Sequence, residues 1–449
     1  MPKVLLVTTA YPPPSLGGTA RITKLLRWLQ RYGWEPTVLT VSRLPLARGT
    51  CRLPEDPLSV WRIPVSPWRR RVSEGAVVSR AGAGSRVYGS ASWARWLRRM
   101  LRRPYANLLE FPDDMWQWIR PGARLGTRLL MSGRFDLIYS SAGAGVSGHF
   151  VARRIQRRTG VPWVHEYRDL WARNPWRLTK AYWWREWLEL YWERKFVTAS
   201  YAVVVMHGRI AEILRARLPV GLRERVTVIP NGFDPAEFGG GSPPPVDLPL
   251  RLCYTGVLYG GKRDLSGLFR AIQMLLQSGK AKQGDLEFVY AGSDADVVHA
   301  VASRFGQVDM VRVLGRVPTD EAKRVQLSSH VLVLVEAAED DPWVRGNMPG
   351  KAYEYLGAER PVLALAHPEG SIAELYAATR AGVTLHPNNS EGIAQFLQNA
   401  LEAIKAGKLV PYEPDRSAVK ASSWEVIGAR LASLFDDAVR GHAPRGARA

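Results

Sequence analysis

Three short stretches of the 449-residue chain set glycines beside cations and acids at spacings that suit a phosphate ester. The first is Gly256-Val-Leu-Tyr-Gly260-Gly261-Lys262-Arg263-Asp264. Two adjacent cations beside bare backbone can hold a diphosphate, by Coulomb attraction and by the fork of a guanidinium. A solvated loop is the plainer alternative, and the glycines tilt the balance toward a site. The second is Gly346-Asn-Met-Pro349-Gly350-Lys351-Ala-Tyr353-Glu354. Proline suits the first turn of a helix. Lys351 and Glu354, three apart, then share one helical face. Lys351 could meet phosphate while Glu354 accepts from two vicinal ribose hydroxyls, since a carboxylate offers two acceptor oxygens. An ordinary surface ion pair explains the same spacing. The third is Tyr11-Pro-Pro-Pro-Ser-Leu-Gly17-Gly18-Thr19-Ala20, where paired glycines precede a helix whose N–H groups could face a phosphate or a sugar hydroxyl. A plain strand-to-helix turn is the commoner reading of such a segment.

A fourth cluster, Glu166-Tyr167-Arg168-Asp169-Leu170-Trp171, brings together charges of both signs. Asp169 and Glu166 can orient hydroxyls, or either can simply pair with Arg168. His165 lies inside an apolar run and reads as a core histidine. No cluster of histidines suggests a metal site.

These loops need strands behind them. Apolar runs at 4–9, 36–41, 136–141, 162–167, 201–206 and 226–230 alternate with amphipathic stretches. That is the βαβ rhythm of a doubly wound parallel sheet. It breaks at 238–249, where three glycines and four prolines make a linker. It restarts with runs at 252–258, 286–292, 311–315, 330–335, 361–366 and 382–386. The expected organisation is an α/β domain over 1–237, the linker, a second α/β domain over 250–412, a last helix within 413–440 and a tail at 441–449. An insert at 43–134 fits the rhythm poorly.

Composition agrees with two domains. The length exceeds the roughly 250–300 residues at which a single core stops growing. Hydrophobic residues at 46% and charged residues at 23% exclude a mostly disordered chain. Cys51 and Cys253 lie far apart, which favours a reducing, cytosolic compartment. No apolar run reaches the ~18 residues of a membrane span, and the N-terminus lacks a signal-peptide pattern.

The loops together carry a resemblance. PPP-x-x-GG, IPNGFDPAEF (229–238), GVLYGGKRD, GRVPTDEA (315–322), MPGKAYEYLGAERPVLAL (348–365) and the final SSWEVI segment resemble, in order, a GT-B glycosyltransferase of the retaining GT4 family. The Glu166–Trp171 element resembles the Phe-Arg-Asp-Pro-Trp element of a subgroup that builds exopolysaccharides and other cell-surface glycans, with Leu170 in the proline position. RPYANLLEFPDDMWQW loosely resembles that subgroup's Pro-Asp-x-x-x-x-Trp stretch. The first glutamate of the family's paired-glutamate motif falls on Gly346, and its usual histidine is replaced by Arg168.

The resemblance implies two Rossmann-like domains facing a central cleft, with the last helix packed back on the first domain. It implies a nucleotide-sugar donor held by the second domain. Lys262 or Arg263 and Lys351 would bind the diphosphate, Glu354 the ribose, and the Arg316-Val317 backbone the base. Gly256 would lie beneath the donor, and Gly17 and Gly18 would close over the phosphates. Lys262, Arg263, Arg168 and Asp169 are the expected catalytic residues, with no metal and no cofactor, since cations and helix dipoles offset the leaving group's charge.

Net charge points elsewhere. Sixty-two basic against 41 acidic residues give +21. The insert alone carries 18 Arg, no Lys and six acids, a net +12. Within it, WARWLRRMLRR places Trp93 and Trp96 on one helical face and Arg98, Arg99, Arg102 and Arg103 around the other. This is the pattern of a helix lying in a headgroup layer. An amphipathic core helix is the alternative. The expected partners are a lipid-linked or hydrophobic acceptor and an anionic membrane, with the protein cytoplasmic and peripheral to the inner membrane face. Transfer to a soluble acceptor, or epimerisation of a sugar nucleotide, is the competing reading. A nucleic-acid-binding role suits the charge but lacks any recognisable module, so no nucleic acid is expected.

Overall fold

A computed structural model describes residues 1–12, 18–42, 59–65, 108, 110–143, 145–174, 181–239 and 245–442. The chain divides into two compact units. The first comprises Met1–Met206, Ile210–Ile229 and Gly428–Ala449, and the second His207–Arg209 and Pro230–Ile427.

The first unit holds seven strands: β1 (Lys3–Thr8), β2 (Glu35–Ser42), β3 (Ser59–Pro64), β4 (Leu137–Ala142), β5 (Trp163–Tyr167), β6 (Ala202–Val205) and β7 (Val226–Val228). They are parallel, in the order β3-β2-β1-β4-β5-β6-β7. In register, Leu5 of β1 lies between Thr37 of β2 and Ile138 of β4. β1 and β4 are buried along nearly their whole length, as a parallel sheet covered on both faces requires. Its helices include α1 (Thr19–Arg31), α2 (Ile119–Gly133), α3 (Ser147–Thr159), α4 (Trp183–Ala199) and α5 (Gly208–Ala216).

The sequence reading missed β3. Its Ser-Val-Trp-Arg-Ile-Pro run lies in the arginine-rich insert and ends in proline, which suits an edge strand and disguises it as loop. Arg62 is nevertheless buried: it donates to the Pro12 carbonyl at 3.1 Å and lies over the Tyr11 ring. The helix expected at 93–103 falls outside the described residues.

The second unit holds six parallel strands: β8 (Leu250–Thr255), β9 (Leu286–Ala291), β10 (Val311–Gly315), β11 (Val331–Val335), β12 (Val362–Leu365) and β13 (Gly382–Leu385). Their order is β10-β9-β8-β11-β12-β13. Helices α6 (Ser266–Gln277), α7 (Ala295–Arg304), α8 (Thr319–Leu327), α9 (Gly350–Gly357), α10 (Ser371–Thr379) and α11 (Ser390–Lys405) connect or follow them. Leu268, Ile272, Leu397 and Leu401 from α6 and α11 pack in the core on one side. Tyr355, Leu356 and Tyr376 from α9 and α10 pack in a second cluster with Phe233 and Phe238. Apart from His207–Arg209, the second unit runs from Pro230, ahead of the glycine–proline linker.

The last helix, α12 (Trp424–His442), starts in the second unit and returns to the first. Gly428 lets it pass so close to α1 that a Cβ there would lie 2.6 Å from Trp28 Cβ. Phe435 then packs against Trp34 and Tyr139, and Trp34 Nε1 donates to Asp436 Oδ1 at 3.2 Å. Burying Phe435 completely stabilises this packing by about 2–3 kcal/mol. The helix thus packs back on the first unit, as the resemblance implies.

Candidate active site

Where the strand order of a doubly wound sheet reverses, two loops diverge beyond the carboxyl ends of neighbouring strands and leave a crevice. In the second unit the reversal lies between β8 and β11. Gly256 follows β8, and Glu336 follows β11. Lys351 sits in the first turn of α9, after Pro349 has set the helix start.

These residues converge. A Cβ at Gly256 would lie 2.6 Å from Lys351 Cε and 3.0 Å from its Nζ, so only glycine leaves room for the ammonium. Among the described residues Lys351 makes no hydrogen bond and no ion pair. Burial pushes its pKa below the usual lysine range; Glu354 acts against that shift and Arg263 with it. The ion pair that spacing allowed between Lys351 and Glu354 does not form. Glu354 Oε1 instead accepts from Gln326 Nε2 at 2.9 Å, and the same amide donates to Thr255 Oγ1 at 2.9 Å. Gln326, fully buried on α8, therefore aims the Glu354 carboxylate.

The loop after β8 is built as a turn. Tyr259, Gly260 and Gly261 all have positive φ, at 52°, 66° and 92°, and glycine relieves two of the three. Asp294, after β9, anchors it by accepting from the backbone N–H of Leu258 at 2.8 Å and Gly260 at 3.4 Å. The two cations at its end differ. Lys262 is exposed. Arg263 is turned inward: it pairs with Glu336, donates to the Val257 carbonyl at 2.9 Å and stacks over Tyr259. Glu336 also accepts from Asn347 Nδ2 at 2.8 Å. Burial raises the Glu336 pKa, with Arg263 opposing it.

Arg316 and Val317 follow β10, the first exposed and the second half-buried. Arg316 is near enough for its charge to act on the Tyr290 phenol, which donates to the Gly256 carbonyl at 2.8 Å. The second unit thus gathers Gly256, Lys262, Arg263, Arg316, Val317, Lys351 and Glu354 around the carboxyl ends of its strands.

In the first unit the reversal lies between β1 and β4. Arg168, just beyond β5, reaches into it. Its backbone N–H donates to the Ala142 carbonyl at 2.9 Å. Its guanidinium occupies the space a side chain at Gly18 would need: a Cβ there would lie 0.6 Å from Nη1. A Cβ at Gly143 would lie 3.0 Å from Nη2. Among the described residues the guanidinium has no hydrogen bond or ion pair, and its Nε is buried. Asp169 is exposed and does not pair with it. Gly17 lies outside the described residues, as do Trp93, Trp96, Arg98, Arg99, Arg102 and Arg103.

Glu166 is not free to orient a hydroxyl. It is fully buried and accepts from Arg21 Nε at 2.9 Å and Nη2 at 2.6 Å, Tyr139 Oη at 2.6 Å and Ser141 Oγ at 2.5 Å. Burial works against its charge, but Arg21 and the two hydroxyls outweigh it and hold its pKa below the usual range. His165 is a core residue, set edge-on to His149, and burial keeps it neutral well below the usual histidine range.

Asp113 opens the Pro-Asp-x-x-x-x-Trp stretch. Its carboxylate accepts from the N–H groups of Ser147 at 2.6 Å and Met115 at 2.9 Å, clamping the start of α3. Burial, and then the charge of Asp114, push it up to about 6.

Sequence reasoning passed over Glu336, Gln326, Asn347 and Asp294. Glu336 carried a usable signal, an acid directly at the end of the buried run 330–335. The other three are recognisable only once distant loops meet.

Residues 17–232 match the model of the glycosyl transferase 4-like domain, and residues 249–403 match that of the glycosyl transferases group 1. No curated protein sequence matches the chain. Among solved structures it is similar to sucrose-phosphate synthase from Thermosynechococcus elongatus, at 14% identity and a TM-score of 0.61, over 98% of this chain and 99% of that one. It is also similar to an α,α-trehalose-phosphate synthase (UDP-forming) from Burkholderia xenovorans, at 15% identity and TM-score 0.60, over 96% of this chain and all of that one. The lipopolysaccharide outer core galactosyltransferase WaaB matches at 12% identity and TM-score 0.55, over 98% and 99%. The fold is GT-B, and the chain carries two glycosyltransferase domains in succession.

Proposed function

We propose that these two glycosyltransferase domains move a sugar, with retention of configuration, from a nucleotide-sugar donor to an acceptor hydroxyl. The acceptor is lipid-linked, the reaction takes place at the cytosolic face of the membrane, and the product belongs to a cell-surface glycan. The observation that carries the donor assignment is the half-buried ammonium of Lys351 against Gly256, which makes no hydrogen bond or ion pair among the described residues. Glu354 and Glu336 act on this charge without touching it, and an anionic ligand in direct contact would offset the cost of its desolvation.

In this reading Lys351 and Lys262 hold the diphosphate. Glu354, aimed by Gln326, accepts from the ribose hydroxyls. Arg316 and Val317 border the base. Arg263, oriented by Glu336, adds positive charge beside the phosphates. The bond from the sugar's anomeric carbon to the diphosphate oxygen breaks while the acceptor oxygen bonds to that carbon on the same face. The acceptor proton passes to the departing phosphate oxygen, so no dedicated base is needed. The cations lower the barrier because negative charge grows on the leaving group. In the first domain Arg168, against Gly18, and Asp169, near Gly143, serve the acceptor. The charge work falls to this chain's own cations, and no metal or cofactor is assigned a step.

The test is a thermal-shift screen over UDP-, GDP-, ADP- and dTDP-sugars, followed by calorimetry with whichever raises the melting temperature. Glu354→Ala should weaken that binding by about tenfold, the effect of one or two lost hydrogen bonds to a charged group. Unchanged affinity would remove Glu354 from the ribose. Full-rate transfer to a soluble acceptor without lipid or detergent would replace the lipid-linked reading with its soluble alternative.

A further inference from the structure

The first unit carries a second cationic feature, away from its strand ends. Helices α2 and α3 hold seven arginines and no aspartate or glutamate. On α2, Arg120, Arg124 and Arg128 recur every four residues, so they form one exposed stripe. On α3, Arg154, Arg157 and Arg158 are exposed. None of the six makes an ion pair or hydrogen bond through its guanidinium among the described residues.

The two stripes are one surface. Arg154 feels the charges of Arg120 on α2 and Arg158 on its own helix. Arg153, at the other edge of α3, feels Arg157 and the Tyr191 ring of α4. From there α4 presents Trp183, Trp187 and Tyr191, again four residues apart, with relative exposures of 81%, 64% and 43%. Trp187 and Tyr191 stack at 5.9 Å, and Lys195 lies over the Tyr191 ring. The acids of α4 do not neutralise this face. Glu189 is buried on Arg185, Glu193 is buried beside Arg217, and Glu186 approaches Arg173.

Unpaired arginines repel one another, and exposed tryptophan is costly in water; a fold keeps both together only where something covers them. We propose that this three-helix face docks on an anionic phospholipid bilayer, the arginines on the headgroup phosphates and the α4 aromatics in the interfacial layer. Charge complementarity selects an anionic partner. The aromatic stripe beside the cations selects a bilayer, whose interface takes up the amphipathic rings of tryptophan and tyrosine. The residues of this face are other than those of 93–103, and the proposal rests on the membrane reading of the reaction only in its choice of partner.

The test is flotation of the full chain with phosphatidylcholine vesicles, with and without phosphatidylglycerol. The protein should float only with the anionic vesicles, and less as salt rises. Each arginine near such a surface contributes about fivefold in binding, so Arg124→Ser, Arg128→Ser, Arg154→Ser, Arg157→Ser and Arg158→Ser together should weaken flotation at least tenfold. The melting temperature and donor binding should not change. Trp183→Ser with Trp187→Ser should weaken binding at high salt, where the aromatic contribution dominates. Unaltered flotation of the five-arginine variant would overturn the proposal. So would retention by single-stranded DNA at a salt concentration where vesicles no longer bind. Transfer to a soluble acceptor would sink the lipid-linked reaction and leave flotation unchanged, so the two failures are distinguishable.

Discussion

Each domain sets an arginine–glutamate pair beside a cation that makes no ion pair or hydrogen bond through its charged group among the described residues, yet the two pairs are built differently. In the first domain Glu166 has no exposure and accepts from Arg21, Tyr139 and Ser141, so its lone pairs are occupied from all sides. In the second, Glu336 is 5% exposed, holds Arg263 and Asn347, and stands at the mouth of the crevice that contains Lys351. The first pair is scaffold, locked inside the sheet. In the proposed reading the second exchanges partners, since the donor's phosphates would compete with Glu336 for Arg263. The comparison teaches that the same residue types in two related sheets need not share a task. Saturation of the hydrogen bonds decides which task each has.

The largest test of this difference is Glu166→Gln. Removing one partner of a buried pair leaves Arg21 uncompensated, which costs about 3–5 kcal/mol. Chemical denaturation should show the loss, and a cost under about 1 kcal/mol would mean the pair is not scaffold. Next is Lys351→Met, which should lower nucleotide-sugar affinity by about tenfold to a hundredfold while leaving stability equal or higher, since a desolvated, unpaired ammonium disappears. Calorimetry and a thermal melt read the two effects separately; a fall in both would class Lys351 with the scaffold. Glu336→Gln comes third. Its stability cost should be about 1–2 kcal/mol, well below that of Glu166→Gln, because the crevice admits water to Arg263. Equal costs for the two glutamine variants would erase the contrast.

The smallest effect concerns Asp113. An unfolded aspartate titrates near 3.9, whereas burial and Asp114 raise this one to about 6. The folded state holds the proton more firmly. Its contribution is therefore fully present below about pH 4 and is lost as pH rises through about 6. Partial exposure discounts the shift to a change of about 1 kcal/mol, and Asp113→Asn should flatten that slope in denaturation curves. A slope that persists in the variant would assign it to another group.

Much of this fold is legible in sequence, because strands buried on both faces read as continuous apolar runs separated by amphipathic helices. β3 is not, because its short Val-Trp-Arg-Ile run is framed by serine and proline, carries a buried arginine and lies in an arginine-rich insert. At the candidate site, the Lys351–Glu354 spacing and the glycines at 256, 260 and 261 are local signals, and they mark residues that do gather beyond the strand ends. The sign of each interaction was not legible. Arg263 belongs to Glu336, 73 residues away. Glu354 belongs to Gln326 on another helix. Arg168 lies against Gly18, and neither neighbouring acid holds it. Such pairings are decided by sheet order, which brings together loops that no spacing rule connects.

The return of α12 to the first domain has a consequence in time. Gly428, Phe435 and Asp436 supply the surface against which Trp28, Trp34 and Tyr139 close. A ribosome delivers those three aromatics before the second domain and their cover only after it. The domain made first is therefore finished last. It waits with an apolar seam open while the second domain is translated and folds.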